Sequence, residues 1–198
     1  MQLILGITGG IATGKSTVVN VFKKFHYPVI DGDCIAKQIV EKGQPALTAI
    51  EQAFGKKILK KNGELDRKLL GELIFHNKEK RRLLDQRMAP FLKKEILRQI
   101  AEAKTTDASL IVVDLPLLYE GHYEVYMEKV AVVYTPESIQ QQRLMKREQL
   151  TKEEARKRIQ SQWSIEEKKK RANILFDNSG SKIETEQQVV DWLQHIGK

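Results

Sequence analysis

The sequence predicts an α/β fold built on a five-stranded parallel sheet flanked by helices and interrupted once by a helical insertion. Three observations predict it. Five short apolar runs, at 3–7, 29–31, 110–114, 130–134 and 174–177, are rich in β-branched residues and show no polar alternation, which is how strands covered on both faces read. Every gap between them is long enough for the crossover helix that a parallel connection needs. One gap, 36–104, is far longer than a single crossover requires and shows helical spacing through much of its length.

The elements follow in order. After the first strand, Lys15–His26 reads as a single helix with Val18, Val19, Phe22 and Phe25 on one side. In the insertion, Leu65, Leu69, Leu70, Leu73 and Ile74 recur at helical spacing, followed by Leu83, Leu84 and Met88. Pro90 is expected to break this ladder, because it lacks an N–H and crowds the preceding turn; Phe91, Ile96, Leu97 and Ile100 resume it. Segment 141–171 holds eleven Lys/Arg against five Glu, a net +6 of the chain's +8. Two capping-box patterns, Thr151 with Glu154 and Ser164 with Glu167, start helices inside it. A last helix at about 184–196 is expected to bury Val189, Val190, Leu193 and Ile196 beside Trp192.

Composition limits the function. The 198 residues hold 34 Lys+Arg and 26 Asp+Glu, an excess that favours an anionic partner such as a phosphorylated metabolite, a nucleic acid or a membrane surface. The single cysteine, Cys34, excludes an intramolecular disulfide and reads as a small packing residue in a reducing compartment. His26, His76, His122 and His195 show no metal-ligand spacing. No run approaches the length of a membrane span, and the amino end lacks a basic leader region. The expected address is the cytoplasm, with no membrane partner, and a monomer is the default because no heptad repeat is visible.

One motif says most about chemistry. Gly9-Gly10-Ile11-Ala12-Thr13-Gly14-Lys15-Ser16 fits G-x-x-x-x-G-K-[ST] at every fixed position, with a strand before it and a helix after it. Such a loop turns its backbone N–H groups inward as a nest for phosphate oxygens, and the following helix adds its positive end. Lys15 is expected to reach the β- and γ-phosphates of ATP, and the Ser16 hydroxyl to ligate Mg²⁺, with Thr17 continuing the site. The motif does not separate kinases from other triphosphate enzymes.

Three further positions suggest what the triphosphate is used for. Asp33 follows the second strand, at the strand end where ligands gather in parallel sheets; it is either a turn residue or a carboxylate that orients an attacking hydroxyl. Asp31 reads as structural. Asp114 ends four apolar residues in the manner of a Walker B strand, so it either shapes a turn or reaches Mg²⁺ through water. Arg143, Lys146 and Arg147 share one helix face, which is either solvated or a lid that clamps phosphate and excludes water.

Taken together, Thr8–Ser16, Val29–Asp33 followed by Ile35-Ala36-Lys37, Asn62–Arg67 with Leu70-Gly71 and Ile74-Phe75, Asp114–Glu120, Arg143–Arg147, and Ala172-Asn173 with Asp177–Gly180 resemble the dephospho-coenzyme A kinase family, P-loop kinases similar to the nucleoside monophosphate kinases. The likeness runs nearly end to end. It implies a P-loop kinase fold with a nucleotide-binding core at 1–35 and 105–198, a helical substrate-binding domain at 36–104 and a lid at about 119–150. It implies ATP-dependent phosphorylation of the ribose 3′-hydroxyl of dephospho-coenzyme A, with no nucleic-acid partner. By the same resemblance Asp33 is the base and Arg143 a phosphate clamp, with Arg147 beside it. Asn178 and Gly180 lie near the ATP adenine. Thr8, Lys37, Leu117, Leu118 and Glu120 line the acceptor side.

The chain departs from the family pattern in three places: Gly32 stands between the two carboxylates, Ala89 precedes Pro90, and position 37 is Lys, which keeps a charge but not a bidentate fork. The alternatives are another nucleoside or nucleotide kinase of this class and, from a different class, a nucleic-acid-binding P-loop NTPase, which the basic 141–171 segment motivates.

Overall fold

The central apolar runs become strands shielded on both faces, while the edge strands are covered only in part. The structure, a computed structural model, describes residues 2–75 and 77–196; His76 lies outside them. Among the described residues, β1 (Leu3–Gly9), β2 (Val29–Asp31), β3 (Leu110–Asp114), β4 (Lys129–Tyr134) and β5 (Ile174–Asp177) form one parallel sheet in the order β2-β3-β1-β4-β5. β1 lies at its centre, with Leu3 through Ile7 opposite Leu110 through Asp114 on one side, and Leu5 through Gly9 opposite Lys129 through Val133 on the other. Every β3 residue and β1 from Ile4 onward are buried, which is why neither strand alternates.

The chain divides into two compact units. One comprises the residues up to Ile30 together with those from Ala103 onward; the other is Asp31–Glu102. In the first, α1 (Lys15–Lys24) buries Val18, Val19, Val21 and Phe22. Phe22 is fully buried and meets Trp192 of α9 (Lys182–Ile196) edge to face at 6.0 Å; Phe176 meets the same indole at 6.0 Å. Such aromatic pairs add about 0.5–1.5 kcal/mol each beyond their buried area. Of the apolar residues expected in the last helix, Val189 is fully buried, while Val190, Leu193 and Ile196 pack at the edge of the cluster. Phe25 departs from expectation. α1 ends at Lys24, Phe25 is its C-cap and is 50% exposed, and the chain leaves the helix through a left-handed turn at His26, φ 59°.

The second unit contains α2 (Gly32–Gln38), α3 (Pro45–Phe54), α4 (Arg67–Phe75) and most of α5 (Lys78–Ala103), packed around Ile35, Leu47, Ile50, Leu70, Ile96 and Ile100. Pro90 does not break the helix as expected: α5 runs through it. An interior proline costs about 3 kcal/mol. Leu84 before it and Ile96 and Ile100 after it are buried, so packing holds helical residues on both sides of the proline. Cys34 is exposed rather than packed.

The remaining elements of the first unit are α6 (Glu137–Glu148), α7 (Lys152–Ile159) and α8 (Ile165–Arg171). Thr151 and Glu154 form the full reciprocal capping box at α7, and Ser164 caps α8 by accepting from the Glu167 N–H. A single lid over 119–150 is not what this segment forms. It contains β4, which is hydrogen-bonded between β1 and β5 and buried from Val130 to Val133, so that stretch belongs to the rigid sheet.

Candidate active site

The phosphate-loop sequence folds into a tight turn between β1 and α1. Thr13 closes it: its N–H and its hydroxyl both donate to the Gly10 carbonyl, at 3.2 and 2.9 Å, and its side chain is fully buried. Ala12 and Gly14 take left-handed conformations, φ 60° and 83°. Ile11 and Ala12 pack against Leu144, Ala155 and Ile159 of α6 and α7. Gly14 is the N-cap of α1, with no side chain capping it and no acid in the first turn, so the helix offers Lys15, Ser16 and Thr17 at a positive end suited to an anion.

Gly14 cannot be replaced cheaply. A Cβ at this position would lie 1.9 Å from Nδ2 of Asn178, and a left-handed non-glycine residue costs roughly 1–2 kcal/mol in itself. Gly14→Ala should therefore lower Tm by roughly 2–8 °C from the backbone term alone and weaken ATP binding, read by thermal denaturation and nucleotide titration. An unchanged Tm would contradict this geometry.

Behind the loop lies a polar brace. Asn178 donates from Nδ2 to the Thr13 carbonyl at 2.7 Å and accepts at Oδ1 from the Thr185 hydroxyl at 2.8 Å. Arg143 donates from Nη2 to the Asn178 carbonyl at 2.9 Å and from Nη1 to the Thr135 hydroxyl at 3.4 Å. The Thr135 hydroxyl, 2.7 Å from the Tyr134 carbonyl and 3.2 Å from the Thr13 carbonyl, has one proton to share between them. The Asn178 side chain is buried and bonded at both Nδ2 and Oδ1. Gly180 is exposed. The Arg143–Arg147 face separates: Arg143 is half-buried against the loop brace, whereas Arg147 is exposed and pairs with Glu148 at 2.6 Å.

Lys15 and Asp114 come together. Lys15 Nζ forms an ion pair with Asp114 Oδ1 in a partly buried setting, so the loop lysine and the end of β3 share one point in space.

The acceptor-side expectations divide. Thr8 and Leu118 are both fully buried. The Thr8 hydroxyl donates to the Pro116 carbonyl at 3.0 Å, and Leu118 lies so close to Gly6 that a Cβ there would be 2.6 Å from Leu118 Cδ1. Neither presents surface to a ligand, because the segment after β3 folds back onto β1. Leu117 is 42% exposed. Glu120 accepts at Oε1 from the Trp163 N–H at 3.0 Å and pairs with Lys168 at 2.9 Å. Trp163 stacks on Tyr119, whose phenol is pushed up to about 12 by burial first and the nearby Glu124 charge second.

In the helical unit, Asp31 caps α2 by accepting from the Cys34 N–H at 3.0 Å, while Asp33 is exposed. Asp33, Lys37 and Arg67 line a cavity of about 380 Å³ whose walls include Leu70, Ile74 and Leu84. Arg67 Nη2 donates to the Lys37 carbonyl at 3.0 Å, fixing that rim.

Sequence reasoning missed Thr135, Thr185 and Lys168. The only local hint for Lys168 is its position three residues after the buried Ile165 on α8.

A parallel sheet in this strand order, with a phosphate loop running from its central strand into a helix, defines a P-loop kinase. A family model described as dephospho-CoA kinase matches residues 3–184, and the chain belongs to that family. It is 63% identical over 199 residues to a dephospho-CoA kinase of Enterococcus faecalis, covering 100% of both chains. It is 46% identical to one of Bacillus licheniformis, covering 96% of this chain and 94% of the relative. The solved dephospho-CoA kinase of Campylobacter jejuni superposes with a TM-score of 0.76 at 34% identity, over 99% of this chain and 98% of that one.

Proposed function

We infer that this chain transfers the γ-phosphoryl group of ATP to the ribose 3′-hydroxyl of dephospho-CoA, releasing CoA and ADP, the final step of CoA biosynthesis. It is a phosphotransferase with an alcohol as acceptor. The observation that carries the reading is the braced phosphate loop with Lys15 at the mouth of its helix and Asp114 beside it, in a chain that matches the family over nearly its whole length.

The loop from Gly10 to Thr17 would hold the triphosphate tail through the N–H groups not spent inside it, the Thr13 N–H being bonded to the Gly10 carbonyl and the Thr17 N–H to the Gly14 carbonyl, and Lys15 would divide its charge between Asp114 and the β- and γ-phosphates. Ser16, and Asp114 through water, would hold Mg²⁺; a hydroxyl and a carboxylate are the hard oxygen donors that ion takes, and when bound it offsets charge on the phosphates. Arg143, held in place by Asn178 and Thr135, would stabilise charge as the phosphoryl moves. Asp33 would accept the proton of the 3′-hydroxyl. The cavity it lines has a charged rim, Lys37 and Arg67, and apolar walls, suited to an acceptor with an anionic nucleotide end and a neutral arm. Closure over ATP would be confined to the exposed residues from the end of α6 through α7, since β4 and the buried Lys168 hold the chain on either side. The reading places a monomer in the cytoplasm with a small-molecule acceptor. Among the described residues, no helix is long and apolar enough to cross a membrane.

Arg143→Lys should reduce kcat/KM by about 10- to 100-fold, since one ammonium cannot reproduce two separated charge-assisted bonds. Steady-state kinetics showing full activity would remove Arg143 from the phosphate clamp and leave it a structural brace. The reading as a whole is tested by ADP release across dephospho-CoA, adenosine, AMP, CMP and shikimate. Turnover is expected with dephospho-CoA, and preference for another acceptor overturns the assignment.

A further inference from the structure

Four consecutive basic residues, Lys168 to Arg171, close α8. Lys169, Lys170 and Arg171 are exposed, as a charge run should be, but Lys168 is completely buried. Its Nζ donates to the Pro116 carbonyl at 2.9 Å and to the Gly9 carbonyl at 3.3 Å, and it pairs with Glu120 Oε1 at 2.9 Å. These three partners match the three protons of an ammonium. The Pro116 carbonyl also accepts from the Thr8 hydroxyl at 3.0 Å. One side chain from α8 thus fastens the last residue of β1, where the phosphate loop begins, to the segment that follows β3.

Burying an ion is expensive, and an apolar side chain of similar volume would fill the same space without that penalty. The cation therefore needs a reason beyond packing, and its partners supply one. A carbonyl gripped by an ammonium cannot turn toward the ligand side of the loop, which keeps the loop N–H groups facing the phosphates. Burial lowers the affinity of Lys168 for its proton, Glu120 opposes that, and the charge of Lys15 adds to the lowering; the two lysines act on a common region.

We propose that Lys168 is a positioning residue for ATP: a buried cation that locks the Gly9 carbonyl against Pro116 and Glu120 and adds positive potential where the triphosphate tail binds. This rests on the kinase reading above. The test is the substitution Lys168→Met, which keeps length and removes charge, read in the full-length enzyme by separate KM values for ATP and dephospho-CoA. The KM for ATP should rise at least about tenfold while that for dephospho-CoA stays within about twofold. An unchanged KM for ATP, or an equal rise in both, overturns the proposal. Should Lys168→Met fail to fold, the native protein decides the matter. With ¹⁵N-labelled lysine, the solvent-protected Lys168 ammonium signal should shift on adding inorganic tripolyphosphate, and a signal that stays in place overturns the proposal. That measurement needs no acceptor, so its failure is distinct from failure to turn over dephospho-CoA.

Discussion

Lys15→Ala should lower kcat/KM by about 10³-fold or more, the scale on which removing a preorganised charge from a developing one acts, while the protein stays folded. The side chain stands at the first position of α1, outside the hydrophobic cluster that α1 joins through Val18, Val19, Val21 and Phe22, so thermal denaturation should report a cooperative folded transition. Two effects add in the same direction. The phosphates lose their cation, and the Asp114 carboxylate, which pairs with Lys15, then faces the incoming triphosphate without that offset. The double variant Lys15→Ala/Asp114→Asn should consequently recover part of the lost ATP affinity, though not the lost kcat. ATP titration and turnover separate the two, and near-native kcat/KM in Lys15→Ala would remove the loop from the mechanism.

Asp33→Asn should lower kcat by about 10²–10⁴-fold, the range for a positioned proton acceptor. Shape and volume are kept and only the proton-accepting charge is lost, so binding of both substrates should change far less than kcat. Stability should also hold, because Asp33 is exposed and the α2 N-terminus is capped by Asp31 instead. The measurement is kcat with each substrate saturating, beside the melting temperature. A fall of less than about tenfold would mean that the 3′-hydroxyl loses its proton by another route.

Most of the sheet could be read from the chain. All five strands lie where the apolar runs place them, within two residues at either end; the central three are continuously apolar because they are buried on both faces. The phosphate loop was equally visible, since its chemistry lies in eight contiguous residues whose backbone geometry is local. The site around it was less so. Nothing local announced that the Asn178 side chain holds the Thr13 carbonyl, 165 positions away in the chain. Thr8 and Leu118 were expected at the acceptor and are interior, because the segment after β3 folds against β1.

Sequence by itself determined the five strands, the helical character of the long insertion and the anion-binding turn, for these depend on periodicity, on backbone freedom at Gly14 and on residue types at fixed spacing; the class of the reaction followed from the family resemblance, not from spacing. Tertiary structure alone decided which charge in a basic run is buried, which polar side chains hold the loop and which are left for a ligand, and whether α5 survives Pro90. Those outcomes depend on burial and on partners contributed by segments far apart in the chain, and no local pattern encodes where a distant carbonyl will come to rest.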